Sequence, residues 1–162
     1  MMTLLMREQT KFRYPRRERV DIDTERLAAK IREASPSVEF AYLLGSAAKG
    51  SVPAYSDLDV AVYLTPDTKV NVETLNNLMQ AAEEAVDLRT EADIGILNQA
   101  GCVYRFQALQ GRRLFVRAQY FEDFLRFYSL TCRMYEDYMA MMRGYYRRKK
   151  EMERRPATPT VM

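Results

Sequence analysis

The sequence predicts an α/β (α+β) fold, in which a small mixed sheet is flanked by helices and a long helix lies near the C-terminal end. Short apolar runs bounded by turn residues are typical of buried strands. They alternate with longer segments whose apolar residues recur at helical spacing, an order that favours a layered sheet-and-helix domain. The third observation is the stretch from residue 121 to residue 150, which is rich in aromatic residues and methionine and contains no proline.

Four apolar runs predict the strands. Residues 38–44 and 58–64 are the clearest, because the first stops before a glycine and the second before a Thr-Pro pair. Residues 92–97 predict a third strand, and residues 114–116 predict an edge strand. The intervening residues are assigned to a short helix or turn over residues 46–49 and to a loop over residues 50–56.

Four helices are expected. The first begins near Asp23, whose carboxylate can cap the helix, and it ends at Ser35-Pro36. Ile22 and Leu27 have the spacing of a hydrophobic staple around that cap. The other three helices are expected over residues 71–87, 102–109 and 121–150.

The chain is expected to form one domain with extensions at both ends. Residues 1–20 are interpreted as an N-terminal extension and residues 21–120 as the main domain. Residues 121–150 form the long helix that packs on the domain or on a partner, and residues 151–162 are a basic, disordered tail. The helices are expected mainly on one face of the sheet, which leaves acidic side chains to converge on the other.

Composition excludes several classes of site. The chain has no histidine, so catalytic triads that contain histidine, zinc sites with histidine ligands and histidine general bases are all ruled out. No run approaches the roughly 20 apolar residues of a membrane span, and a cytoplasmic protein is expected.

Positive charge is concentrated near the two ends of the chain. Residues 7–19 carry six Lys or Arg against two Glu, and residues 147–155 carry six against two. Direct binding of nucleic acid is one interpretation of these basic segments, but solvated helix ends are the favoured one.

The stretch GSAAKGSVPAYSDLDV, residues 45–60, carries most of the functional information. Asp57 and Asp59 are one residue apart on an expected strand, so their side chains should project from the same face. Two adjacent carboxylates repel each other unless a divalent cation lies between them, and oxygen ligands suit Mg²⁺. Asp57 and Asp59 are therefore predicted to be catalytic metal ligands.

Asp93 is the predicted third carboxylate. It lies on the next expected strand, and Gly95 on the same face leaves space beside it. Asp93 could bind a metal ion and also accept the proton of an attacking hydroxyl group. Asp87 is the alternative, although its position at a helix end favours a solvated or capping role.

Residues around the glycine-serine pair are predicted to bind the nucleotide. Gly45 allows the backbone to approach a phosphate, and Ser46 adds a hydroxyl group. Lys49 could reach a phosphate oxygen, and Ser56 is a further candidate directly before the acidic pair. Together with the carboxylates, this phosphate cradle predicts nucleotidyl transfer.

The same stretch resembles the GS-x10-D-x-D signature of the polymerase-β-type nucleotidyltransferase superfamily. The short chain resembles the minimal nucleotidyltransferases (MNT) in particular. EADIGILNQA is similar to the later strand of the family with its third acidic residue, and FQALQGRRLFVR resembles the glycine turn and final strand that follow. The resemblance implies the nucleotidyltransferase fold, ATP as the donor and Mg²⁺ bound by Asp57, Asp59 and Asp93. Many members have arginine in place of Lys49, which preserves the charge but not the forked hydrogen bonding.

The resemblance also implies a partner. Small members of this kind act as antitoxins that transfer AMP to a tyrosine of a HEPN-type ribonuclease toxin, so a hetero-oligomer is expected. The alternatives are an aminoglycoside-type transferase that acts on a small molecule and an antitoxin that acts by binding alone. A nucleic-acid polymerase is less favoured, because no template-binding domain is visible.

Overall fold

A computed structural model describes residues 18–54 and 56–154. The strands are β1 Arg19–Asp21, β2 Val38–Leu43, β3 Ser51–Pro53, β4 Leu58–Leu64, β5 Ala92–Ile96 and β6 Arg112–Val116. The helices are α1 Thr24–Ala34, α2 Val72–Ala85, α3 Cys102–Gln110 and α4 Phe121–Arg154, with 3₁₀ turns at Gly45–Lys49 and Ala118–Tyr120. Among the helices of these described residues, none combines the length and the apolar character that a membrane span requires.

The central sheet has the strand order β5-β4-β2-β6. β4 and β5 are parallel, whereas β2 pairs with β4 and β6 in antiparallel fashion. The mixed sheet predicted from the sequence is thus confirmed. The side chain of Asn98 exchanges two hydrogen bonds with the backbone of Leu64, at 2.9 and 2.7 Å, and so ties the end of β4 to the segment after β5.

Helices cover both faces of this sheet, which corrects the expectation that they lie mainly on one. α1 and α2 pack on the first face, where Leu27, Ile31 and Leu78 are fully buried. α3 and the start of α4 pack on the second face, where Phe124 and Phe127 lie against Phe40 with ring centroids 5.2 Å apart. Helical periodicity shows that a helix has an apolar side, but it does not show which face of a sheet that side will cover.

The first helix begins as predicted. The Asp23 carboxylate accepts hydrogen bonds from the backbone N–H groups of Glu25 and Arg26, at 3.1 and 3.0 Å. These bonds satisfy two of the free N–H groups at the start of α1. The helix then ends at Ala34, before the predicted Ser35-Pro36 stop.

A second, two-stranded sheet was not predicted. β1 and β3 pair in antiparallel register, and Val20 and Val52 are paired and buried. Residues 51–53, expected to be loop, are therefore a strand, and residues 19–20 of the expected extension belong to its partner strand. Strands of three residues are too short to show an alternating pattern, so only the long-range pairing identifies them.

The long C-terminal helix continues beyond its predicted end at residue 150. α4 contains 34 residues and reaches Arg154, so residues 151–154 of the predicted tail are helical. Residues 155–162 and 1–17, on which the remaining predictions for the tail and the extension fall, lie outside the described residues.

Candidate active site

Asp59 and Asp93 lie side by side on the two parallel strands. They are register partners on β4 and β5. Neighbouring strands are about 4.8 Å apart, so the two carboxylates leave the same sheet face next to each other. The sequence predicted this pair, and the parallel pairing of β4 with β5 brings it together.

Gly45 lies beside the two carboxylates, in the turn that follows β2. The Leu44 N–H donates a 2.9 Å hydrogen bond to the Asp59 carbonyl, which fixes the start of the Gly45–Lys49 turn beside β4. Gly45 has φ +64°, a conformation that favours glycine, and a β-carbon built on it would lie 3.6 Å from Oδ2 of Asp59. A side chain at this position would be in van der Waals contact with the carboxylate, and the glycine leaves that contact open to a ligand.

Asp57 lies outside the strand from which it was expected to project. β4 begins at Leu58, so Asp57 precedes the strand and is exposed, and the sheet ladder does not fix its side chain. Among residues 18–54 and 56–154, no three His, Cys, Asp or Glu side chains are gathered closely enough to hold a metal ion as they stand. Of the three predicted carboxylates, Asp59 and Asp93 are thus paired on neighbouring strands, and Asp57 lies in the segment just before β4.

The electrostatics of Asp59 fit a cation-binding group. Burial raises the pKa of its carboxyl group, and the charges of Asp93 and then Asp57 raise that pKa further. The pKa rises because ionised carboxylates that are close together destabilise one another. A divalent cation bound between the carboxylates would offset this repulsion. The candidate ligands are carboxylate oxygens, which suit Mg²⁺. The donor set therefore fits the predicted metal.

A cavity of about 500 Å³ opens over the two carboxylates. Its walls are Leu44, Gly45, Asp59, Asp93, Tyr104 and Gln107. The last two come from α3, where a spacing of three residues places them on one side of the helix. We refer to this space as the carboxylate cavity.

A second cavity, of about 450 Å³, adjoins the first. It is lined by Gly45, Ala48, Lys49, Gln107, Gln110, Gly111 and Arg112. Gly45 and Gln107 line both cavities, so the two spaces meet at the glycine turn. Lys49 and Arg112 supply positive charge here, whereas Asp59 and Asp93 supply negative charge in the carboxylate cavity. We refer to this space as the basic cavity.

The remaining predicted residues lie outside these two cavities. Ser46 is exposed on the turn. The backbone of Ser56 forms two hydrogen bonds: its N–H donates to the Pro53 carbonyl, and its carbonyl accepts from the Thr90 hydroxyl. Asp87, the alternative to Asp93, forms a 3.0 Å ion pair with Arg26 after α2 and takes no part in the site.

The sequence analysis did not identify four cavity residues that have polar or charged side chains, namely Tyr104, Gln107, Gln110 and Arg112. The first three recur every three residues on α3, directly after the acidic strand. That regular spacing was the available signal. Arg112 had none, because it reaches the site only through the pairing of β6 with β2.

The sequence matches the family Polymerase beta, Nucleotidyltransferase over residues 26–120, which contain the glycine turn, both in-register carboxylates and both cavities. The chain belongs to the polymerase beta nucleotidyltransferase family. No curated protein matches the sequence of this nucleotidyltransferase.

Solved structures share the fold of this nucleotidyltransferase. One matching chain is from a toxin–antitoxin structure with AMP-PNP, with a TM-score of 0.60 and 22% identity, covering 80% of this chain and 99% of the other. Another is from the tri-AMPylated Shewanella oneidensis HEPN toxin in complex with MNT antitoxin, with a TM-score of 0.55, 24% identity, and coverage of 78% and 96%. At this identity the likeness establishes the fold, and it extends over nearly the whole of each matching chain.

Proposed function

We propose that this nucleotidyltransferase is an MNT antitoxin that transfers AMP from ATP to a tyrosine hydroxyl group of a HEPN toxin. The observation that carries the proposal is the in-register pair Asp59 and Asp93 beside the uncovered glycine turn. The fold shared with structures of toxin–antitoxin complexes, one of them with an AMPylated toxin, supports this choice of acceptor. We expect a cytoplasmic hetero-oligomer.

Asp59 and Asp93, with Asp57, would hold Mg²⁺. The bound metal would neutralise charge on the phosphate oxygens as the α-phosphorus is attacked. Gly45 allows the backbone to approach the phosphates, with Ser46 and Ser56 as further contacts. In the basic cavity, Lys49 and Arg112 bind the phosphate tail and the departing pyrophosphate.

Asp93 is the proposed proton acceptor. The tyrosine oxygen forms a bond to the α-phosphorus, and the bond between that phosphorus and the bridging oxygen of pyrophosphate breaks. The proton of the tyrosine hydroxyl moves to the Asp93 carboxylate, and pyrophosphate leaves with the electron pair of the broken bond. Asp93 is exposed to the cavity, so an acceptor entering from solvent can reach it.

We propose that residues 21–120 form the transferase unit and that the long helix is a separate packing element. The family match over residues 26–120 supports these bounds. Basic residues near the end of α4 are available to an acidic partner, and direct nucleic-acid binding is not favoured.

The test is intact-protein mass spectrometry of a HEPN toxin encoded beside this chain. With ATP and Mg²⁺ we expect added AMP on a toxin tyrosine, and Asp59→Asn should reduce the rate at least about 100-fold. The exposed residue Asp67, in the loop after β4, gives the control Asp67→Asn, which should retain full activity.

Two other results would replace the proposal. If wild type and Asp59→Asn silence an unmodified toxin equally well, the chain acts by binding alone. If AMP is transferred to an antibiotic hydroxyl instead, the chain is a small-molecule transferase.

A further inference from the structure

Tyr104 occupies a position at the active site that packing alone does not require. It lies in the first turn of α3, is half-buried and lines the carboxylate cavity. Its ring packs with the apolar cluster under α3 and α4, to which a phenylalanine would be equally suited. The hydroxyl group therefore calls for a separate explanation.

Gly95 on β5 makes room for this hydroxyl group. A β-carbon on residue 95 would overlap the Tyr104 oxygen and lie 2.7 Å from Cζ of the same ring. The backbone does not need glycine here, since the positive-φ glycines of the described chain are Gly45 and Gly50. Because Gly95 has no side chain, the phenol of Tyr104 can rest directly on β5.

The phenol consequently stands beside the proposed proton acceptor. Asp93 is two residues before Gly95 on β5, so both project to the same face, about 6.6 Å apart along the strand. Register places Gly95 beside Ala61 and Asp93 beside Asp59. The Tyr104 hydroxyl, which rests on Gly95, thus lies two residues along the strands from the carboxylate pair.

The basic cavity adjoins the carboxylate cavity on the side of β2, whereas Tyr104 lies over β5. Gly45 and Gln107 form this junction, and Lys49 and Arg112 lie beyond it. The phosphate tail of a nucleotide would extend toward these cations, away from Tyr104. An acceptor hydroxyl must approach the α-phosphorus opposite the departing pyrophosphate, so it enters on the side of Asp93 and Tyr104.

We propose that Tyr104 is a positioning residue for the acceptor, and that it fits a phenolic side chain. Its ring packs against the acceptor ring, and its hydroxyl group forms a hydrogen bond with the attacking oxygen beside Asp93. Leu44 contributes a further apolar surface to the same cavity. This inference rests on the function proposed above and assigns it an acceptor contact.

The first test compares the wild type with Tyr104→Phe and Tyr104→Ala in AMP transfer to the HEPN toxin. Loss of the hydroxyl should raise the KM for toxin about threefold to tenfold, and loss of the ring should raise it further. The KM for ATP and the affinity for AMP-PNP should stay within about twofold of wild type, because the donor contacts lie elsewhere. Thermal melting of each variant establishes that it is folded.

Tyr63 provides the matched control. It is also half-buried on the second sheet face, but its ring stacks on Phe40 with centroids 4.7 Å apart and does not line the carboxylate cavity. Tyr63→Phe should leave both KM values unchanged. An unchanged KM for toxin in Tyr104→Ala, an equal rise in the KM for ATP, or AMP attached to Tyr104 itself would each overturn the inference.

A second arm needs no partner protein. If the wild type transfers no AMP to the toxin, the function proposed above fails, and N-acetyltyrosinamide is then titrated into the chain saturated with Mg²⁺ and AMP-PNP. We expect saturation-transfer NMR signals for wild type and Tyr63→Phe, and signals at least about threefold weaker for Tyr104→Ala. Equal signals for all three proteins, or no signal for the wild type, would then overturn the inference.

Discussion

Glu39 carries a buried carboxyl group outside the active site. It lies on β2 with only 1% of its surface exposed. Within the described part of the chain, its Oε2 atom accepts no hydrogen bond. Burial, together with the negative charge of Asp123 on α4, raises the pKa of this group from 4.5 to about 7. The folded protein therefore favours the protonated form of Glu39, next to the long helix, more than the unfolded chain does.

Stability should consequently depend on pH through Glu39. The folded pKa exceeds the unfolded one, so its contribution is complete below about pH 4.5 and is lost as the pH rises to about 7. Denaturant unfolding should show wild type losing stability relative to Glu39→Gln by at most about 1.4 kcal/mol per pH unit in that window. Exposed Glu33, changed to Gln, is the control, and parallel curves for wild type and Glu39→Gln would contradict the prediction.

At the scale of elements, α4 divides into a packed half and an exposed half. Phe124, Phe127 and Thr131 are buried, and the Tyr135 ring stacks on Phe106 of α3 with centroids 3.8 Å apart. The apolar stripe continues past this point, but its members are open to solvent: Met141, Tyr145 and Met152 are 60%, 51% and 66% exposed. The packed half thus anchors the helix on the sheet, and the exposed half adds little to the core.

Two substitutions on α4 should separate these halves. Phe127→Ala removes a buried ring and should lower the free energy of unfolding by about 3–5 kcal/mol, because it leaves a cavity against Phe40. Met141→Ala should change it by no more than about 0.5 kcal/mol. Urea denaturation measures both, and equal destabilisation would show that the outer half packs on the domain after all.

At the scale of the whole molecule, two adjoining cavities of opposite charge meet at one glycine turn. The carboxylates come from β4 and β5, whereas the cations come from the Gly45–Lys49 turn and β6. A nucleotide spanning both would therefore bridge the two edges of the sheet. Such a ligand binds the folded chain and not the unfolded one, so it should stabilise the whole domain.

Mg²⁺ with AMP-PNP should raise the melting temperature. At a concentration 100 times Kd the gain is about 2.7 kcal/mol, which corresponds to roughly 5–10 °C for a chain of this size. Arg112→Ala should weaken binding about tenfold, since it removes a charged contact to the phosphates. Arg126→Ala, on the exposed side of α4, is the control and should behave like wild type. A shift that survives removal of the metal with EDTA would contradict the metal assignment.

The sequence predicted those parts of the fold that depend on neighbours in the chain. The Asp23 cap and the apolar runs of β2 and β4 are local features, and each lies within one or two residues of its predicted place. Asp59 and Asp93 were also predicted, because alternation along a strand fixes which face a side chain takes. Asp57 was expected to share the strand geometry of Asp59, but it directly precedes β4, whose bounds are the predicted residues 58–64.

The local sequence thus determined the four strands of the central sheet, the capped first helix, the glycine turn and the identity of the two carboxylates, since short-range sterics and periodicity specify them. Only the tertiary structure decided that β4 and β5 run in parallel register, that helices cover both faces, and that Tyr104 and Arg112 reach the site. These features arise from contacts between residues distant in the chain, whose partners are selected by the packing of the whole core.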